Sequence, residues 1–110
     1  MVITARNRIE MLKDCMRGLA RQSIGTDAFE VVLVDNCSTD DFTPVHDYAR
    51  ALGLNIRGVR TARDGGPAPA RNLGVANAAA PVIAFTDSDC RPTPAWLERI
   101  LAAMDDPAIA

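Results

Sequence analysis

Four times along this chain a short apolar run gives way to a segment whose apolar residues recur every three or four positions. That alternation admits few folds. Strands that are each followed by a helix cannot close as tight hairpins, so the chain must cross over and lay its strands side by side in parallel. The helices then cover the sheet. The expected fold class is α/β, with helix, mainly parallel sheet and helix stacked as three layers. The first strand covers Met1 to Ala5 and lacks lead-in residues, so it reads as clipped. From Arg8 to Gln22, Ile9, Leu12, Met16 and Leu19 form one apolar face, with Lys13, Arg17 and Arg21 away from it. Phe29 to Val34 is a valine-rich central strand that stops at Asp35.

A second helix is predicted to start at Thr43-Pro44, with the hydroxyl as cap and proline in the first position. Val45, Tyr48, Ala49 and Leu52 make its apolar face, and Gly53 closes it. Leu54 to Arg60 is a strand suited to a sheet edge, because Asn55, Arg57 and Arg60 interrupt its apolar residues. Arg63 to Pro67, with its paired glycines, is the clearest irregular loop and allows close approach to a ligand. A small-residue helix follows from Pro69 to Ala79, then an apolar strand from Val82 to Phe85. Thr93-Pro94 repeats the helix start, and Leu97, Ile100, Leu101 and Met104 form a stripe that reads as a core helix.

Composition narrows the function. At 110 residues and 48% hydrophobic, the chain suffices for one core and one domain over residues 1–110. A net charge of −2 with no basic stripe argues against a nucleic-acid partner. No apolar run reaches the roughly 20 residues of a membrane span, and the N-terminus lacks a signal-peptide plan, so a cytoplasmic protein is expected. The three cysteines, Cys15, Cys37 and Cys90, are odd in number and lack C-x-x-C spacing; neither a disulfide framework nor a zinc site is indicated.

The chemistry concentrates after the fourth apolar run, where Asp87 and Asp89 follow at i, i+2. Ligands of open α/β sheets bind beyond the carboxyl ends of strands, where two carboxylates can share a divalent cation with a phosphate-bearing ligand. The same residues could instead cap the next turn. His46, the only histidine, lies in the second helix away from strand ends and reads as an exposed surface residue.

Four segments together carry a resemblance: I-T-A-R-N-R at Ile3 to Arg8, F-E-V-V-L-V-D-N-C-S-T-D at Phe29 to Asp40, A-R-N-L-G at Ala70 to Gly74, and F-T-D-S-D at Phe85 to Asp89. In this order they resemble the nucleotide-sugar-binding half of family 2 glycosyltransferases. The resemblance implies a Rossmann-like GT-A fold, apparently truncated, and an inverting transfer of sugar from a nucleotide diphosphate donor to an unknown acceptor. It makes Thr4 a contact to the nucleotide base and Asp35 an acceptor for base or ribose. Asn36 stands where a second aspartate is frequent, exchanging an acceptor-only group for one that also donates. Arg63 and Arg71 are the cations expected to face the donor, with A-R-N-L-G favouring Arg71. Asp87 is implied at the ribose or cation, and Asp89 at the cation, Mg²⁺ or Mn²⁺.

The resemblance places the general base of the transfer beyond the D-x-D strand and its helix, so no catalytic residue is assigned in this chain. A truncated sheet would leave an unpaired edge, from which self-association is expected. Other readings are a non-catalytic nucleotide-sugar-binding module, a truncated inactive fragment, and a phosphatase of the haloacid dehalogenase type, whose motif also opens with D-x-D.

Overall fold

The central strand has no exposed face. In a computed structural model that describes residues 1–62, 67–80, 82–87 and 90–104, with backbone only at Pro67 and Asp87, Val31, Val32, Leu33 and Val34 are all buried. They belong to β2 (Val31–Asp35), which pairs in parallel with β1 (Val2–Ala5) on one side and β3 (Ile56–Arg60) on the other. β4 (Phe85–Asp87) adds to the far side of β1, giving the order β3-β2-β1-β4 with every pairing parallel. Alternation along the strands splits the core in two. Ile3, Val31, Leu33 and Ile56 face a large cluster with α1 (Ile9–Ala20), α2 (Thr43–Ala51) and α4 (Trp96–Met104). Val2, Val32 and Val34 face α3 (Pro67–Ala76) through Ala70 and Leu73. The three layers expected from the sequence are present.

The helix ends differ in instructive ways. Gly53 has φ +87°, its N–H reaches the Arg50 carbonyl at 3.0 Å, and the Leu54 N–H reaches Ala49 at 3.0 Å. This pair of bonds satisfies the last carbonyls of α2 and needs a left-handed residue at the glycine. At the other end of α2, Thr43 is not the cap. Phe42 holds the cap position, and the carboxylate of Asp41 before it accepts from the Thr43 N–H at 2.9 Å and from the Thr43 hydroxyl at 2.7 Å.

Thr93 does not cap the last helix either, and α4 begins at Trp96. Its start is fixed from the turn after α1: the buried Gln22 accepts from the Leu97 N–H at 2.9 Å and donates to the Thr93 carbonyl at 2.7 Å. The stripe on α4 is only half a core face, since Leu97 is buried but Leu101 and Met104 are 42% and 54% exposed. β4 also starts later than the apolar run predicts. Val82 to Ala84 serve as lead-in: the Ala84 carbonyl accepts from Val2 at 2.8 Å, Ile83 packs against the α3-side cluster, and the paired strand begins at Phe85. The edge position expected for the third strand is where β3 lies.

Candidate donor site at the strand ends

Strand order decides where a ligand can enter. From β1 the chain steps outward to β2 and β3, then returns to the opposite side of β1 as β4. The connections therefore diverge between β1 and β4, and a crevice opens at their carboxyl ends. A cavity of about 240 Å³ runs along these two strands, lined by Val2 and Phe85 at their starts, by Thr4, Thr86 and Cys90, and by Arg71. Thr4 is aligned with Val34 on one side and with Asp87 on the other, so its half-buried side chain sits between the two strands that bear the acidic ends.

Arg71 reaches this cavity because α3 lies close on the sheet. Ala70 is fully buried, and at Gly74 a Cβ would come within 2.4 Å of Val2 Cγ1. These small residues one helical turn apart let the helix approach, and Arg71 beside them is exposed toward the crevice. Asn72, its neighbour, is exposed and outside the cavity lining.

Asp35 and Asn36 stand one strand over, in a polar network rather than in the cavity wall. Asp35 Oδ1 accepts from the Ser38 N–H at 2.8 Å, and Oδ2 is paired with Arg60 at 3.3 Å. The Asn36 N–H extends the ladder to Ala5 at 2.7 Å, while its side-chain oxygen accepts from the Thr61 hydroxyl at 3.0 Å. Ser38 is 3% exposed and its hydroxyl accepts from the Asn7 N–H at 2.8 Å. Asn7 in turn accepts from the Thr39 and Asp40 N–H groups, at 3.0 and 3.1 Å. The loops after β1 and β2 are thus interlocked, with Asn7, Arg8 and Cys37 held at φ between 57° and 67°.

Of the sequence-predicted residues, Thr4 and Arg71 share the crevice, Asp35 and Asn36 flank it, and the Asp87 backbone ends the strand beside it. Arg63, Asp89 and the Asp87 side chain lie outside the described residues. Among the described residues no three His, Cys, Asp or Glu side chains gather as a metal cluster. Arg60, Ser38 and Asn7 were not expected at the site. Arg60 was legible only as an edge-strand charge, although its place at a strand's carboxyl end was a usable signal.

His46 departs from its expected exposure. It is half-buried against Gly58 of β3, and its Nδ1 is buried with no hydrogen-bond partner. Burial, reinforced by the Arg50 charge and opposed by Asp47, pushes its pKa below the ordinary 6.5. It stands on the α2 flank, away from the crevice.

The sequence model of glycosyl transferase family 2 matches residues 1–110. The chain belongs to this family. Among its curated relatives, glycosyltransferase AglE of Haloferax volcanii is 29% identical over 98 residues, covering 89% of this chain and 32% of AglE. The poly(ribitol-phosphate) beta-N-acetylglucosaminyltransferase TarS of Staphylococcus aureus is 33% identical over 89 residues, covering 80% of this chain and 15% of TarS.

Solved structures of family members agree with the fold. TarS residues 1–349 in complex with UDP-GlcNAc superpose with a TM-score of 0.83 at 28% identity, over 94% of this chain and 30% of that one. The mannosyltransferase PcManGT from Pyrobaculum calidifontis, in complex with GDP-Man and Mn²⁺, gives 0.85 at 26% identity, over 96% and 32%. The four-stranded parallel sheet and its helices are therefore the N-terminal part of a GT-A glycosyltransferase fold. The chain spans about a third or less of the length of these relatives.

Proposed function

We propose that residues 1–110 are the nucleotide-sugar-binding half of a glycosyltransferase, which moves a sugar from a nucleotide diphosphate donor to an acceptor with inversion. The observation that carries this reading is the cavity shared by Thr4 and Arg71 at the divergence of β1 and β4, beside the strand end that bears Asp87. Neighbours of the same fold bind UDP-GlcNAc and GDP-Man, which supports a donor of that class.

Each residue has a distinct task. Thr4 offers backbone and hydroxyl to the base, while Asp35 accepts from base or ribose N–H and O–H groups and Asn36 adds an amide beside it. The Arg71 guanidinium, and Arg63 in the glycine loop, supply paired donors to phosphate oxygens. Asp87 and Asp89, the D-x-D pair, offer hard oxygen ligands of the kind that suits Mg²⁺ or Mn²⁺. Such a cation would take its remaining ligands from donor phosphates and water. When bound, it supplies Lewis-acid neutralisation of the departing diphosphate. The acceptor proton requires a general base, a role given to none of these residues.

Among the described residues no helix is long and apolar enough to cross a membrane. Cys15, Cys37 and Cys90 form no disulfide, which fits a reducing, cytoplasmic setting. The outer edge of β4, beside the 46%-exposed Phe85, is the route we assign for self-association, which sedimentation would register as a concentration-dependent mass.

Calorimetric titration of UDP, GDP and dTDP with and without Mn²⁺, on wild type and Asp89→Ala, tests the reading. Metal-dependent binding that Asp89→Ala abolishes is expected. Binding without transfer in the full-length protein would favour a non-catalytic module, and a folded chain that binds none of the three would refute the donor site.

A further inference from the structure

We infer that Arg60 is a positioning residue of the donor site, which sets the orientation of Asp35 and so the recognition of the nucleoside portion of the donor. This rests on the reading of Asp35 as a ligand of base or ribose.

Arg60 ends the edge strand β3 in register with Asp35 at the end of β2. Its guanidinium bridges two points at once: Nη1 is 3.3 Å from Asp35 Oδ2, and Nη2 is 2.9 Å from the Ser38 carbonyl oxygen. Ser38 closes the ring, because its N–H donates to Asp35 Oδ1 at 2.8 Å. Each carboxylate oxygen of Asp35 thus accepts one protein hydrogen bond and keeps further lone-pair capacity for a ligand donor. The side chain cannot turn about its terminal bond without breaking one of these contacts, so its free acceptor directions are fixed before a ligand arrives.

The clamp also bears on backbone. Cys37, between Asn36 and Ser38, lies at φ 57°, a region that non-glycine residues enter at a cost. The bonds of Ser38 to Asp35, Arg60 and Asn7 hold that turn from three sides. A lysine could pair with Asp35 but is a single point charge, and it could not at the same time hold the Ser38 carbonyl in a planar fork. By contrast Arg57, on the opposite face of β3, donates to the Asn77 carbonyl at 2.8 Å and pairs with Glu30, far from the strand ends that hold Asp35.

A merely structural role and a positioning role differ in which ligand they affect. The test compares the full chain as wild type, Arg60→Ala, Arg60→Lys and, as control, Arg57→Ala. Two probes are titrated with excess Mg²⁺: the nucleoside diphosphate that binds wild type most tightly, and inorganic pyrophosphate, which lacks base and ribose. Arg60→Ala is expected to weaken the nucleoside diphosphate about tenfold while leaving pyrophosphate within about twofold, with partial recovery in Arg60→Lys. Equal losses for both probes would mean that Arg60 only supports the fold, and unchanged nucleotide affinity would remove it from the site; either result overturns the inference. Should Arg60→Ala unfold, Arg60→Lys carries the same comparison. A wild type that binds neither probe refutes the donor site itself and is thereby distinguished from a failure of Arg60 alone.

Discussion

Adding one methyl group at Gly74 should loosen the contact on which the crevice depends. A Cβ built there lies 2.4 Å from Val2 Cγ1 and 3.1 Å from Val34 Cγ2, whereas apolar carbons rest about 3.5 to 4.0 Å apart. Something must yield by about 1 Å. Val2 is 1% exposed, β-branched and bonded into strands on both sides, so its side chain has nowhere to swing and α3 must lift. Overpacking of this kind costs about 1–3 kcal/mol, and contact with two valines belongs in the upper part of that range. Against it stands a gain of about 1 kcal/mol from replacing glycine by alanine inside a helix. The net expectation is a loss of about 1–2 kcal/mol, or roughly 5–10 °C in the thermal midpoint of a domain this size. Because Arg71 is on the same helix, nucleotide affinity should fall with stability. Urea denaturation of Gly74→Ala gives the first quantity and calorimetry the second. The double variant with Val2→Ala removes the clashing methyl groups, so the two substitutions together should cost less than their sum. A Gly74→Ala protein stabilised by about 1 kcal/mol would mean that helix propensity alone governs the site, and the close-packing argument would fail.

Two further outcomes follow from the structure. The lowered pKa of His46 means that the unfolded chain binds its proton more readily than the folded one, so stability should decline as pH falls below about 6.5 and level off beneath the folded value. Urea melts between pH 5 and 7.5 should show a steeper slope for wild type than for His46→Gln, and identical slopes would contradict the assignment; Gly58→Ala, whose Cβ would meet the ring at 2.6 Å, should flatten the slope by displacing it. Cys90 is exposed and lines the crevice whereas Cys15 is buried, so alkylation of the native protein should spare Cys15 and bound nucleotide should slow reaction at Cys90; absence of protection would separate the thiol from the ligand site.

Periodicity made the fold legible because each element spends its apolar residues on a definite face. The valines of β2 and the Leu12, Met16 and Leu19 series of α1 are buried as their spacing requires. Boundaries failed where a partner distant in sequence took over a local task. Thr93-Pro94 has the local signature of a helix start, yet the first turn of α4 is satisfied by Gln22, which no short-range pattern connects to it. Val82 to Ala84 read as strand by composition, but β1 starts only at Val2, which donates to the Ala84 carbonyl and is aligned with Phe85, so Val82 and Ile83 run ahead of any partner in β1. Leu101 and Met104 keep the spacing of a core stripe although much of their surface is open, because spacing records which face is apolar and not whether anything covers it.

The site divided along the same line. The placement of Thr4 and Asp35 at strand ends and of Arg71 in a helix of small residues was legible, while their roles toward a ligand were what the family resemblance implies. The support beneath them was not legible. Asp35 alone at a strand end is an unconstrained carboxylate; paired with Arg60 from the next strand and Ser38 from its own turn, it becomes an acceptor of fixed direction. That ring needs β2 and β3 in a register that aligns Asp35 with Arg60. A shift of one residue would turn Arg60 to the opposite face of the sheet and leave Asp35 without its cation. On the proposed reading of Asp35, recognition would depend on strand register as much as on the identity of the residue assigned to touch the ligand.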